Sequence, residues 1–255
     1  MKNLNILILI VIVFLTGIIF PQVNTEQYRK DSVKVGFSGN LNFEAVAITG
    51  NTDYQLLDAG GRLNYNYGDD YTFIVLDAGY GWESGNPFVG QMFAHLRHVI
   101  TPARVYQFEL FAQYDNNKKR KLLNRELIGG GIRFRFLTEN NFKLRVGVAY
   151  MFEAEDYDLP ASSIHGNSTK VHRMSSYLTF NYDIDETLSF VSVTYYQPKL
   201  DDWNDYKIVS ENALVIDPGK LVDLYIKFNA RYDSFPPDGI KNTDTVTKMG
   251  ISFKF

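Results

Sequence analysis

TDTVTKMGISFKF occupies residues 243–255. Within it Met249, Ile251, Phe253 and Phe255 are apolar, and they alternate with Lys248, Gly250, Ser252 and Lys254. Strict period-two alternation marks a strand with one apolar and one polar face, because successive side chains point to opposite sides. Such a strand needs a neighbour for its backbone groups and an apolar medium for its aromatic face.

Working outward, eleven more alternating segments precede this one. In residues 33–47, Val33, Val35, Phe37, Leu41, Phe43 and Ala45 oppose Lys34, Ser38, Asn40, Asn42 and Glu44. The same pattern recurs over residues 57–67, 71–83, 91–101, 105–115, 125–137, 142–153, 173–183, 188–197, 206–216 and 222–233. The segment at 222–233 is the cleanest: Val222, Leu224, Ile226, Phe228, Ala230 and Tyr232 against Asp223, Lys227, Asn229, Arg231 and Asp233. Two are less clear. LSFVSVTYYQ, residues 188–197, leaves open which face is apolar, and His98 blurs the fourth segment. No long segment has a helical period. The 15% aromatic content, with 17 Tyr and 19 Phe, suits strands.

The connections carry independent information. Those after even-numbered segments are short and rich in turn residues: GDD at 68–70, TPAR at 101–104, TENN at 138–141, IDE at 184–186 and DPGK at 217–220. Those after odd-numbered segments are longer, at 84–90, 116–124, 154–172, 198–205 and 234–243; only 49–53 is short. A soluble sandwich has no reason to sort loops by strand parity. An outer-membrane barrel does, with short periplasmic turns and longer outer loops. The reading is all-β: a transmembrane antiparallel up-and-down β-barrel of twelve strands. An even number puts both ends on the periplasmic side. Hydrocarbon cannot satisfy open backbone groups, so the sheet closes and the last strand pairs with the first. Phe253 and Phe255 then face lipid.

Residues 1–25 read MKNLNILILIVIVFLTGIIFPQVNT. Lys2 precedes an apolar run from Ile6 to Phe20, too short for a membrane helix and suited to a secretory signal. We assign 1–25 as a cleaved signal peptide and 26–255 as the barrel. Cleavage removes Lys2, so the formal charge of −3 becomes −3 − 1 = −4. The 26 basic and 29 acidic residues are dispersed, which excludes a nucleic-acid stripe. With no Cys, thiolate zinc sites, disulfides, thiol nucleophiles and N-terminal lipidation on Cys are excluded.

The last eight residues, KMGISFKF, resemble the C-terminal signal read by the bacterial barrel-assembly machinery, through Lys248, Gly250, Phe253 and Phe255. ITGNTD at 48–53, YYQP at 195–198 followed by Asp205-Tyr206, and YDSFPPDGIKNTDT at 232–245 resemble the YdiY-type family, a domain of unknown function described as salt-induced outer-membrane proteins. The resemblance implies a single outer-membrane barrel and supplies neither a reaction nor a transported solute.

The polar faces place Asp77, His95, Arg97, Glu109, Asp115, Arg133, Arg135, Lys143, Arg145, Glu153, Arg173, Glu211, Asp223, Lys227 and Arg231 in the lumen. Arg133, Arg135, Lys143 and Arg145 flank the turn at 138–141 and are expected as a basic cluster at the inner mouth, with Glu109 and Asp77 as lumen acids. They would line a narrow anion-favouring pore or a salt-bridged plug, since twelve strands lie between filled and conducting barrels.

No catalytic residue, cofactor or metal is expected. His98 falls on the lipid-facing parity, and Ser176 could share that face on a distant strand, but no Ser–His spacing joins nucleophile and base. Asp156, Asp158, Asp201, Asp202 and Asp205 lack a calcium-loop pattern. Gly129-Gly130-Gly131 lies within a strand and serves curvature or close packing rather than phosphate. The function expected is a non-enzymatic, monomeric outer-membrane protein, a narrow or gated channel or an envelope-stress protein. Its partners are outer-membrane lipids and, during biogenesis, the assembly machinery, with no nucleic acid. The alternatives are a lipid-acting hydrolase and a surface receptor or adhesin using the outer loops.

Overall fold

The computed structural model describes residues 35–48, 54–83, 85–219 and 221–255. The expected signal peptide lies outside them, as do residues 49–53 of the ITGNTD stretch. Twelve strands follow one another: β1 (Gly36–Ile48), β2 (Tyr54–Asn66), β3 (Tyr71–Glu83), β4 (Asn86–Ile100), β5 (Tyr106–Asn117), β6 (Leu122–Thr138), β7 (Phe142–Tyr157), β8 (Ser168–Asp183), β9 (Leu188–Pro198), β10 (Tyr206–Ile216), β11 (Val222–Asp233) and β12 (Thr243–Lys254). A single 3₁₀ turn, Lys118–Arg120, joins β5 to β6. Each strand pairs antiparallel with its sequence neighbours, and β12 returns to β1, so the sheet is a closed barrel.

Closure is made by the segment that opened the reading. Leu41 pairs with Phe253 and Phe43 with Ile251, and Gly39 and Phe255 exchange both backbone hydrogen bonds at 2.9 and 3.0 Å. The seam is short: β1 and β12 pair only from Asn40↔Lys254 to Phe43↔Ile251.

The faces follow the alternation. Leu41, Phe43, Leu57, Leu63, Leu76, Leu110, Ile128, Val148, Phe228, Met249 and Phe253 all point away from the lumen and stay exposed to the surroundings, here hydrocarbon. Aromatic rings cluster near both ends. Phe37, Tyr65 and Tyr67 pack in sequence at 4.6 and 4.8 Å near the inner edge. Tyr80 and Trp82 pack at 4.7 Å near the outer edge, and Tyr196, Tyr206 and Tyr232 at 5.6 Å from ring to ring. Tyr80 pairs with Leu57, eight residues before Tyr65 on β2. That separation is about 20 Å of height after strand tilt, close to the apolar band of such barrels.

The structure revises one expectation and decides two open readings. The connections after β3 and β5 are not long loops: residues 86–90 continue β4, and β5 runs on to Asn117. Pro87, which cannot donate to a ladder, sits at the bulge between Gly81 and Trp82. Among the described residues, only 158–167, 199–205 and 234–242 form extended outer loops. The ambiguous ninth segment turns Val191 and Val193 inward, at 5% and 0% exposure, and Ser192 and Thr194 outward. Those hydroxyls are satisfied on the wall itself, Ser192 by Asn212 at 2.7 Å and Thr194 by Ser210 at 3.1 Å. His98 does face outward, near the inner edge, with its ring nitrogen 2.9 Å from Thr72 Oγ1.

Candidate functional site

Inward-facing positions meet in the lumen, where charged and polar groups lie among apolar ones such as Phe73, Val75, Phe93, Met151 and Val193. The outer tier centres on Glu153 of β7, which is 0% exposed. Arg125 Nε donates to it at 2.8 Å, Arg173 Nε at 2.9 Å and Lys207 Nζ at 2.8 Å. Lys207 also donates to Glu155 at 2.7 Å, and Arg125 lies 3.7 Å from Asp115. Arg173 reaches on to Asp205 of the 199–205 loop at 2.9 Å. Strands β5, β6, β7, β8 and β10 are tied together across the bore.

The inner tier centres on Glu109 of β5. It accepts from Arg97 at 3.3 Å and Tyr177 Oη at 2.6 Å, with Arg133 at 3.7 Å. Arg133 is 0% exposed and Arg145, on β7, is 3%. The Tyr177 ring reaches Glu109 because Gly147 leaves space for it; any Cβ at Gly147 would collide with that ring. Between the tiers a cavity of about 50 Å³ remains, bordered by Phe93, His95, Phe111, Met151 and Tyr177. That is room for a few waters, not for a solute.

A third cluster lines the wall beside the seam. Lys248 donates to Asp58 at 2.6 Å and lies 3.1 Å from Glu44, which also accepts from Tyr225 Oη at 2.8 Å. At the inner mouth Lys254 bridges Asp223 at 2.7 Å and Asp217 at 2.8 Å. At the outer mouth residues 158–167 and 234–242 lock together. Asp238 accepts from Ser163 Oγ and from the backbone N–H of Ile164 and His165. The Ser163 bond, followed by that of Ile164, holds the Asp238 carboxyl below the usual carboxylate range. The His165 ring lies between Tyr157 at 5.1 Å and Phe235 at 5.5 Å.

The residues expected at one inner-mouth cluster are therefore divided. Arg133, Arg145 and Glu109 belong to the buried inner tier. Arg135 and Lys143 are half-buried nearer the mouth, and Arg135 donates to the Arg104 carbonyl at 3.4 Å. Asp77 lies on the β3 wall, over Gly60. Arg125, Glu155, Lys207 and Lys248 are lumen groups beyond those expected from the sequence. Strand parity marks each of them: Arg125 shares parity with Arg133, and Lys207 with Glu211. Of the C-terminal signal residues, Phe253 faces outward beside Phe43 at 6.4 Å, Phe255 is 67% exposed, Gly250 packs under Tyr225, and Lys248 is inside the barrel.

The histidines are held as follows. His95 meets Gln113 at 3.1 Å, and His172 meets Tyr150 Oη at 2.6 Å. Ser176 stands on β8, separated from His98 on β4 by three strands. Among the described residues no group of three or more His, Cys, Asp or Glu is arranged to hold a metal ion. Asp205 is engaged by Arg173, and Asp201 by Lys199 at 3.3 Å. Trp203 is exposed in the outer loop.

Comparison with curated proteins finds no match. Among solved structures, the NanC porin superposes with a TM-score of 0.51 at 11% identity, over 86% of this chain and 100% of that one. The translocator domain of autotransporter NalP from Neisseria meningitidis gives 0.50 at 10% identity, over 88% and 90%. At such identities the likeness shows the fold, that of outer-membrane β-barrels. A family model described as a protein of unknown function, DUF481, matches residues 42–255.

Proposed function

We infer the role from the barrel's own lumen, because the chain belongs to the DUF481 family, whose description is a protein of unknown function. The reading is a gated outer-membrane channel held closed by an ion-paired plug. One observation carries it: ion-paired groups are buried across the bore, beside inward-facing apolar residues such as Phe73, Val75, Phe93, Val191 and Val193. Glu153 is 0% exposed and pairs with Arg125, Arg173 and Lys207, each at most 3% exposed.

A barrel that only needed filling would do as well with apolar residues, since replacing a buried ion pair by packed hydrocarbon is often neutral or stabilising. Charges that pair when closed can line a wet path when their partners are exchanged for water. The outer tier is balanced, with Asp115, Glu153 and Glu155 against Arg125, Arg173 and Lys207. The inner tier sets Arg97 and Arg133 against Glu109, with Arg145 and Glu211 also buried in the bore.

We propose no enzymatic step. His98 has a hydroxyl partner in Thr72, but that hydroxyl is shared with Tyr67 at 2.7 Å, so the three groups read as an interfacial hydrogen-bond chain. Surrounding lipid and, during biogenesis, the assembly machinery acting on Lys248, Gly250, Phe253 and Phe255 remain the proposed partners of a monomer.

Planar-bilayer recording on refolded protein tests the channel. Wild type should open rarely, and Glu153→Gln should open more often. Silence from both, with the barrel intact by circular dichroism, would sink the reading. Phospholipid turnover abolished by His98→Ala would instead favour the hydrolase.

A further inference from the structure

The outer half of the wall carries a trough of about 1210 Å³ that the lumen does not use. Its apolar lining comes from outward-facing side chains, among them Phe43, Leu57, Tyr80, Met92, Met249 and Ile251. Small residues, Ala59, Ala78 and Gly90, leave the space between them. Phe43, Ala59, Ala78 and Met92 are consecutive register partners on β1 to β4, and Ile251 pairs with Phe43 across the seam. With Asn116 of β5 the trough spans six strands, about 24 Å of wall at the usual strand spacing. Its upper edge is not apolar. Lys118 and Lys121 line it, from the basic run Lys118-Lys119-Arg120-Lys121 between β5 and β6, together with one acid, Asp158.

Lys118 is exposed and lies against Gly90 on the outward face. Its ammonium has no ion pair among the described residues. Lys121 is fixed at φ 55° and donates to the Asp238 carbonyl at 3.3 Å, which leaves its ammonium further protons to donate.

A wide apolar trough in the outer leaflet, headed by two ammonium groups and one carboxylate, a net positive edge, matches one class of molecule. We propose that it binds a phosphorylated, multiply acylated glycolipid of the outer leaflet. The phosphates would be held by Lys118 and Lys121, and several acyl chains would lie side by side between β12 and β5. Charge selects the head: an ammonium binds phosphate as a point charge, and the surrounding hydrocarbon reduces screening. Width selects the body, because two chains cover only part of a six-strand floor.

The test uses the refolded barrel in detergent without divalent cations, and native mass spectrometry with three probes: lipid A bearing both phosphates, the same lipid dephosphorylated, and phosphatidylglycerol. Phosphorylated lipid A should bind best. The pair Lys118→Gln/Lys121→Gln should weaken it roughly tenfold, the loss of a charge-assisted contact. Ala78→Trp, which fills the floor and leaves both lysines, should weaken all three probes. Lys170→Gln, on the outer part of β8, should change nothing. Equal binding by wild type and the double lysine variant, or by phosphorylated and dephosphorylated lipid, would overturn the head site. Phosphatidylglycerol binding as tightly as lipid A would overturn the glycolipid assignment, and unaltered binding by Ala78→Trp would overturn the trough.

Discussion

Glu153 is the residue on which the proposed closed state turns. It accepts from three cations of three different strands, and it has no contact with solvent. Removing one member of a buried charge set leaves the others uncompensated, which costs about 3–5 kcal/mol in dry interiors. Water entering the bore would offset part of that. Glu153→Gln should therefore lower the urea-unfolding free energy in vesicles by about 2–3 kcal/mol, with raised open probability in the same preparation. Gly147 makes the complementary case. A Val side chain there displaces the Tyr177 ring and breaks its bond to Glu109. Overpacking of this kind costs about 1–3 kcal/mol, and Gly147→Val should show it in the same assay. At Arg133 the charge itself is the readout: Arg133→Gln should shift the reversal potential under a salt gradient toward lower anion preference.

Strands differ in how firmly they are held. β6 and β7 pair from Leu122↔Tyr157 to Thr138↔Lys143, whereas β1 and β12 share only the ladder from Asn40↔Lys254 to Phe43↔Ile251 and the Gly39–Phe255 pair. Local opening follows the weakest ladder. Amide exchange should be fastest in β12 above Ile251, on the side facing β1, and slowest in the middle of β7; equal protection would contradict the short seam. β9 shows that an element can turn hydroxyls, not apolar side chains, to the outer wall. Ser192, Thr194, Ser210 and Asn212 bond to one another on the outward wall, and Asn212 also donates to the Phe228 carbonyl at 3.1 Å. Hydrogen bonds between membrane segments average about 0.6 kcal/mol, so Asn212→Leu should alter stability by less than about 1 kcal/mol in vesicle unfolding.

For the whole molecule, the proposed closure is doubled: ion pairs across the bore, and outer loops joined at its mouth. The cap hangs on Asp238, whose carboxyl is held below its ordinary value by Ser163 first and then by the Ile164 and His165 amides. A lowered carboxyl stabilises its contacts above the unfolded value, and that stability is lost as pH falls through the folded one. The cap should thus hold at neutral pH and loosen only below about pH 3.9, the unperturbed aspartate value. Limited proteolysis within 234–242 should accelerate in that acid range, and Asp238→Asn should accelerate it at neutral pH. Resistance of the Asn variant at neutral pH would show that another contact holds the cap.

Period-two alternation was enough to read the class of fold, the strand number and the outward face of nearly every strand, because in a thin wall each side chain meets either hydrocarbon or the bore. Residues 243–255 even announced their own closure partner. Two local features escaped. Strand ends such as residues 86–90 were lost because the ladder continues past the hydrocarbon, where polarity no longer marks a face. β9 was ambiguous because its outward hydroxyls are satisfied by β10, a neighbour the one-dimensional pattern cannot assign. The pairing of Glu153 with Arg125, Arg173 and Lys207, and the union of Asp238 with Ser163 over 75 residues of chain, were decided only in three dimensions. Parity along a strand says which side a charge faces; barrel radius and stagger decide which charge it meets there.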